Sequence, residues 1–132
     1  MFHVKHCIMA LKEQKLGQIG ENLAEEYLKS LDYEILDRNY REKWGEIDIV
    51  AKKGEIIVFI EVKTLNVSRE TLFNPFENIT YKKKRNLKKS ARMYLVKKRY
   101  SPETEWQIDV IAIETDPDTG KSSIQHIPQA VY

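Results

Sequence analysis

The sequence predicts an α/β domain with a central mixed sheet of about five strands flanked by α-helices. In two segments, apolar residues recur at intervals of three and four residues, as in amphipathic helices. Other segments are rich in β-branched residues and alternate between apolar and polar positions, as in strands. With 132 residues, 42% of them hydrophobic, the chain is long enough to bury one core and is not a long disordered chain.

Composition also sets expectations for the limits of the domain and for its compartment. We expect residues 1–12 to form a flexible N-terminal tail and residues 13–132 to form the single domain. Cys7 is the only cysteine, so no internal disulfide can form, which favours a reducing compartment. No apolar run approaches the roughly 20 residues that a membrane span needs. We therefore expect a cytoplasmic protein with no membrane partner.

The first predicted helix covers about residues 13–30. Its apolar residues occupy about half of a helical wheel, and Gly17 and Gly20 fall inside that arc, where the helix backbone could approach a sheet closely. Glu21 lies at the edge of the arc, where it could face water or reach into a neighbouring cleft. Residues 33–41 follow and predict a strand of exposed or edge character.

The segment 44–64, WGEIDIVAKKGEIIVFIEVKT, predicts a hairpin of two apolar strands that also contain charged residues. Alternate side chains of a strand share a face, so Glu61 and Lys63 lie side by side. Asp48 joins their face only if the connecting loop has an even number of residues. A four-residue loop, 52–55, would place Asp48 diagonal to Glu61, with Cβ atoms about 7–8 Å apart. Such charges are costly in apolar surroundings unless they are paired or bind a metal.

An acid on one strand and a Glu-x-Lys sequence on the next suit metal-dependent cleavage of phosphodiesters. Asp48 and Glu61 offer hard oxygen ligands for Mg²⁺, with Mn²⁺ as a substitute, and the backbone carbonyl of Val62 could be a further ligand. Lys63 could orient the attacking water or stabilise charge that develops on the phosphate. The alternative is a salt bridge of Lys63 with Glu61 or Asp48 at a sheet edge.

The second predicted helix begins after Thr80 as its N-cap and reaches about Lys98. From Tyr81 to Tyr100 there are ten basic residues and no acidic one, which favours a polyanionic partner such as nucleic acid over a helix that is merely solvated. The basic residues expected to contact nucleic acid are Lys82, Lys83, Arg85, Lys88, Lys89 and Arg92.

The remaining segments predict a loop and two strands. Residues 65–79 have the composition of a loop, and its apolar part at 72–76 could fill the core, form a lid or contact a partner. Residues 106–114 predict a strand, and residues 124–127 predict a short final strand. His126 has no evident catalytic partner in the sequence, so we expect a structural role for it.

Several ordered blocks of the sequence resemble the small bacterial YraN family. They are GENLAEEYL at 20–28, ILDRNYR at 35–41, GEIDIVA at 45–51, VFIEVKT at 58–64 and IDV at 108–110. The hairpin also resembles the PD-(D/E)xK core of restriction enzymes and archaeal Holliday-junction resolvases, with Asp48 as the D and Glu61-Val62-Lys63 as the ExK. This resemblance implies a restriction-endonuclease-like fold. It also implies Glu21 as a metal ligand, since a helical Glu helps to bind metal in the resolvases.

We therefore expect a Mg²⁺-dependent nuclease that acts on DNA, with branched or structured DNA as a candidate substrate and with Glu21, Asp48, Glu61 and Lys63 at its site. Two other functions stay open at this point. One is a nucleic-acid-binding module of the same fold without turnover, and the other is a protein-interaction adaptor that uses residues 72–76. Cleavage of a four-way junction requires two cuts, so a homodimer would suit the nuclease.

Overall fold

The computed structural model describes residues 17–66, 79–116 and 118–131. The expected tail, residues 1–12, and the expected adaptor segment, residues 72–76, lie outside the described residues. The elements in chain order are helix α1, described over residues 17–30, then β1 (Glu34–Glu42), β2 (Gly45–Lys53), β3 (Ile56–Asn66), α2 (Tyr81–Lys97), β4 (Trp106–Thr115) and β5 (Ser122–Val131).

The strands form one sheet in the order β1-β2-β3-β4-β5. The pair β3–β4 is parallel and the other three pairs are antiparallel, so the sheet is mixed. The predicted α/β architecture with five strands is confirmed, and β1 is an edge strand as predicted. Neither helix in the described part of the chain is long and apolar enough to cross a membrane.

One helix covers each face of the sheet, and the alternation of residues in β3 decides which face each helix meets. Ala24 and Leu28 of α1 pack with Val58 and Ile60 in one fully buried cluster. The other cluster places Leu87, Ala91 and Tyr94 of α2 against Ile57 and Phe59. Glu61 and Lys63 continue the Ile57 and Phe59 side of the strand, so they face α2.

Helix α2 is fixed to the edge strand β1 at two points. The Tyr94 hydroxyl donates a hydrogen bond of 2.7 Å to Asp37 Oδ2, and the pKa of Tyr94 is raised by its burial and by this bond. One turn further, Lys97 Nζ lies 2.7 Å from Glu42 Oε1, which also accepts a bond from the Tyr40 hydroxyl. These contacts hold the basic helix in a defined position over the sheet.

The turn between β2 and β3 is shorter than the predicted four-residue loop. Lys53 pairs with Ile56, so the turn consists of Gly54 and Glu55, and Gly54 has a φ of +59°. A positive φ at the first central position is typical of tight hairpin turns, and glycine adopts it without strain. The turn has an even number of residues, as Asp48 needs in order to share a face of the sheet with Glu61. The strand register differs from the predicted one by two residues. Continued by one residue, this register would place Asp48 opposite Glu61 rather than diagonal to it, but the pairing ends at Ile49 and Ile60.

Strand β5 is longer than the predicted segment 124–127 and extends over Ser122–Val131. Pro128 interrupts the sequence pattern, but an edge strand tolerates proline because its outward N–H position needs no partner. His126 Nε2 lies 2.7 Å from Oδ2 of the fully buried Asp109, and its Nδ1 lies 3.0 Å from the Tyr27 hydroxyl. His126 thus joins β5, β4 and α1, which agrees with the expected structural role and supplies a partner that the sequence did not reveal.

Helix α1 approaches β3 closely at Gly20, one of the two glycines predicted to allow a close approach. A Cβ atom at position 20 would overlap Thr64 Oγ1 and would lie 3.1 Å from Thr64 Cβ. Gly17 also falls in the predicted arc, but a Cβ atom there would meet nothing within 4 Å. The close approach therefore depends on one glycine, and this glycine directly precedes Glu21.

We expect Gly20→Ala to lower the free energy of unfolding by about 1–3 kcal/mol, because the added methyl group forces α1 away from Thr64. Gly17→Ala is the matched control and should be neutral or stabilising by up to about 1 kcal/mol, since alanine favours a helix. Urea unfolding of both variants measures the difference. The double variant G20A/T64A should recover part of the loss. Equal stability of the two single variants would contradict the contact.

Candidate functional site

The site begins where β2 separates from β3. The two strands pair as far as Ile49 and Ile60, and at the next position Asp48 Oδ2 accepts a hydrogen bond of 2.7 Å from the backbone N–H of Val62. Ile49 packs on the α1 side of the sheet and Ile47 on the α2 side, so the strand changes its facing at Asp48. A carboxylate thus takes the place of a backbone acceptor and opens the sheet locally.

Strand β1 is irregular at the same level. Its neighbouring pairs place Asn39 in register with Asp48, and Asn39 has a φ of +51°, a conformation that asparagine tolerates better than most residues. In the amide orientation that hydrogen bonding favours, Asn39 Nδ2 donates to Glu46 Oε1 at 2.8 Å and to Glu21 Oε2 at 3.3 Å. Asn39 therefore brings the helical Glu21 to the level of Asp48.

The residues predicted for the metal site all line one cavity of about 400 Å³. Its walls come from α1, β2, β3 and α2, and they consist of Gly17, Glu21, Asp48, Glu61, Val62, Lys63, Thr64 and Lys83. The structure thus brings together residues that are up to 66 positions apart in the sequence, from Gly17 to Lys83. Lys83 is the residue of the predicted nucleic-acid-binding set that lines this cavity.

Glu61 is the most buried acid of this cavity, with 5% of its surface exposed. Its Oε1 lies 2.6 Å from Lys83 Nζ and 3.6 Å from Lys63 Nζ. The salt bridge that was the alternative interpretation of the hairpin therefore forms, but it lies in the centre of the sheet and includes a second lysine from α2. Two ammonium groups balance a carboxylate that would be costly to bury alone.

The pKa of Asp48 is raised to about 8. Burial is the largest cause, the nearby Glu61 carboxylate is the next, and the hydrogen bond from Val62 N–H acts in the opposite direction. Glu21 adds a smaller contribution through its charge. Carboxylates crowd around Asp48, so positive charge at this position would be favourable.

The two lysines around Glu61 are not equivalent. The pKa of Lys63 is lowered, first by burial and then by the neighbouring Lys83 charge. Burial acts to lower the pKa of Lys83 as well, but its short contact with Glu61 outweighs this effect and the pKa is raised. Lys83 is thus the main counter-charge of Glu61, while Lys63 is the lysine that releases its proton more easily.

Glu21 is held by Arg38 of β1. Arg38 Nη2 lies 3.2 Å from Glu21 Oε2, and Nη1 donates to Asn22 Oδ1 at 2.8 Å and lies 3.6 Å from Glu25 Oε2. Its Nε is buried without a hydrogen-bond partner in the described part of the chain. Arg38 lies in the ILDRNYR block but was not predicted as a site residue, because its contact with the GENLAEEYL block is visible only in three dimensions.

The donor set suits a hard divalent cation, but its members are engaged with other groups. Among residues 17–66, 79–116 and 118–131, no three Asp, Glu, His or Cys side chains lie close enough together to hold a metal ion. Lys83 and Arg38 compete for Glu61 and Glu21, respectively. For the carboxylates to converge on a cation, the side chains of Glu21 and Lys83 would have to rotate. Both are partly exposed, which leaves room for this rotation. The residues fit such an ion in type and location.

Helix α2 presents its other basic residues to solvent beside this cavity. Lys82, Arg85, Lys89 and Arg92 are exposed, whereas Lys88 is half-buried. Thr80 caps the helix by accepting a bond of 3.1 Å from Lys83 N–H, and the first turn contains no acidic residue. The N-terminal end of a helix carries partial positive charge, so lysines there are unfavourable unless an anion is nearby. The predicted polyanionic partner would supply such an anion, and it stays a prediction.

Comparison with known proteins identifies relatives over most of the chain. The model of the uncharacterised protein family UPF0102 matches residues 20–113. A UPF0102 protein of Campylobacter hominis is 44% identical over 108 residues, which cover 82% of this chain and 91% of the relative. One of Syntrophomonas wolfei is 43% identical over 119 residues, which cover 89% of this chain and 97% of the relative. UPF0102 is the YraN family, so the predicted family resemblance is confirmed.

The raised pKa of Asp48 predicts a dependence of stability on pH in the absence of divalent cations. Between about 4, the ordinary value for an unfolded chain, and about 8, folded Asp48 keeps a proton that the unfolded chain releases. This group therefore makes stability fall as pH rises through that range. Asp48→Asn removes the effect, so the parent should lose several degrees more of its melting temperature than the variant between pH 5 and pH 8.

Thermal unfolding in EDTA measures this difference. Glu55→Gln neutralises an exposed carboxylate in the β2–β3 turn and should follow the parent. Parallel curves for the parent and Asp48→Asn would show that Asp48 does not hold a proton in the folded protein.

Proposed function

This chain belongs to the uncharacterised protein family UPF0102, and we propose that it is a metal-dependent nuclease that cleaves DNA phosphodiesters. The observation that carries the proposal is the single cavity that joins Glu21 of α1, Asp48 of β2, and Glu61 and Lys63 of β3. The basic helix α2 borders this cavity. The resemblance of the hairpin to the PD-(D/E)xK core gives the same residues their roles.

The charges of the site favour a ligand that combines a positive divalent cation with a negative phosphate. Buried acids repel a phosphate, whereas the basic helix attracts one, and a divalent cation between them would satisfy both. Asp48, Glu61, Glu21 and the backbone carbonyl of Val62 would hold Mg²⁺, or Mn²⁺ as a substitute. When bound, such a cation supplies positive charge to the phosphodiester and lowers the pKa of a water molecule.

Lys63 and Lys83 have separate roles in this proposal. Lys63 lies 3.6 Å from Glu61 in the cavity wall, where its ammonium group would face a non-bridging phosphate oxygen or orient the attacking water. Lys83 is bound to Glu61 and would turn to the phosphate when a cation takes over the neutralisation of this carboxylate. Both lysines thereby stabilise charge that develops on the phosphate.

The exposed basic residues of α2 would hold the DNA backbone. Lys82, Arg85, Lys89 and Arg92 offer phosphate contacts that carry no sequence preference. Branched or structured DNA is the proposed substrate class, a homodimer would suit paired cuts in a junction, and the cytoplasm is the proposed location.

A nucleic-acid-binding module without turnover is the second candidate function. The contact of Glu61 with Lys83 at 2.6 Å favours it, because the central carboxylate is neutralised without any metal. This candidate predicts salt-sensitive binding through α2 that survives loss of Glu61. The segment 72–76, on which an adaptor function would depend, lies outside the described residues.

A cleavage assay with Glu61→Gln distinguishes the two candidates. Purified protein is incubated with linear, flapped and four-way DNA in Mg²⁺ and in Mn²⁺. We expect the parent and the control Glu55→Gln to cleave at least one substrate, and Glu61→Gln to lose about 100-fold or more of the rate because a metal ligand is gone. DNA binding by Glu61→Gln should persist.

Equal cleavage by Glu61→Gln and the parent would refute the proposed site. Absence of cleavage by the parent, together with binding that weakens steeply with salt, would support the binding module instead. A melting curve of Glu61→Gln that matches the parent excludes unfolding as the cause of lost activity.

A further inference from the structure

A second cavity, of about 440 Å³, is also lined by Asp48 and Glu61. It is formed between the turn that joins β1 to β2 and the N-terminal half of α2. Its lining includes Trp44, Lys82, Asn86 and Ser90, and it shares Asp48, Glu61 and Lys83 with the acidic cavity. A group bound in this second cavity would therefore touch the residues to which the proposal assigns catalysis.

Trp44 gives this cavity a flat apolar surface. It lies in the two-residue turn between Glu42 and Gly45, which pair with each other, and its side chain is half-buried. Lys43 Nζ and Lys89 Nζ lie 5.9 and 5.8 Å from the centre of its ring, at the outer limit of cation–π distances. These ammonium groups lie over the ring, so a base that stacks on Trp44 would displace them toward the flanking phosphates. Aromatic rings combined with positive charge are typical of surfaces that bind single strands.

Ser90 gives the same cavity an unsatisfied polar group. Its side chain is 0% exposed, and its Oγ finds no hydrogen-bond partner among the described residues. A buried hydroxyl without a hydrogen-bond partner is destabilising. Asn86, which lies one turn earlier on α2, also lines the cavity and has a side-chain amide. Both groups suit a ligand with hydrogen-bonding atoms on its edge.

We infer that this second cavity binds an unstacked nucleobase of the strand whose phosphodiester lies at the acidic cavity. The base stacks on Trp44, its edge meets Asn86 and Ser90, and Lys43 and Lys89 lie near the flanking phosphates. The inference rests on the nucleic-acid binding in the proposed function and names its substrate class. DNA with unpaired nucleotides, such as flaps, junctions and single-stranded ends, is bound in preference to continuous duplex, in which a base must first be unstacked.

Binding in EDTA tests the inference without any need for cleavage. Tryptophan fluorescence, which comes from Trp44 and Trp106, is titrated with a single-stranded oligodeoxythymidine, the same strand with abasic sites, a blunt duplex and thymidine monophosphate. The part of the signal change that Trp44→Phe loses belongs to Trp44. We expect quenching by the intact single strand and no such quenching in Trp44→Phe. Trp44→Ala should bind the single strand about tenfold or more weakly, because it loses base stacking, and Trp44→Phe should restore most of that affinity. Duplex binding should be equal in all three proteins.

The inference is overturned if Trp44→Ala binds the single strand as tightly as the parent, or if the abasic strand binds as tightly as the intact one. Quenching by thymidine monophosphate at the same concentration as the strand would identify a free nucleotide as the ligand and would also overturn it. If the protein does not cleave DNA but binds single strands through Trp44, the proposed nuclease activity is refuted and the base-binding site is not. If the protein cleaves DNA but shows no Trp44-dependent binding of single strands, the base-binding site is refuted and the nuclease activity is not.

Discussion

The hydrogen bond from Val62 N–H to Asp48 Oδ2 is the interaction on which the site depends. In a regular hairpin a backbone carbonyl of β2 would accept from this part of β3, and the two strands would stay paired. A carboxylate in that place lets β2 separate after Ile49 and leaves Asp48 buried beside Glu61. Two cavities lie at this point, and Asp48 and Glu61 line both of them.

The fold tolerates two unfavourable arrangements of charge at the same place. Burial and the charge of Glu61 hold the pKa of Asp48 well above its ordinary value, and lysines occupy the N-terminal turn of α2, where the helix dipole disfavours them. Lys83 relieves both in part by crossing from α2 to Glu61. A cation bound to the acids, together with a phosphate bound to the lysines, would relieve both more completely, and this is why a phosphodiester with a divalent cation suits the site better than either alone.

The sequence predicted what depends on local pattern and missed what depends on long-range contacts. Alternation placed Glu61 on the side of Phe59, and Thr80 set the start of α2, because these follow from strand period and capping. The hairpin register was wrong by two residues, since Gly54 allows a tighter turn than composition indicates. The predicted β5 was too short because Pro128 indicates the end of a strand in the sequence, whereas the strand continues to Val131. The contacts of Arg38 with Glu21 and of Lys83 with Glu61 could not be predicted, because each joins two elements that are distant in the sequence and no local pattern encodes that distance.

Anomalous diffraction from a crystal soaked in Mn²⁺ would show whether the acids bind a divalent cation. We expect a peak about 2.1 Å from carboxylate oxygens of Asp48 and Glu61, with Glu21 turned toward it and Lys83 Nζ moved away from Glu61. A site without an anomalous peak at millimolar Mn²⁺, with Lys83 still bound to Glu61, would contradict this expectation and would leave the buried charges as a salt bridge that serves the fold alone.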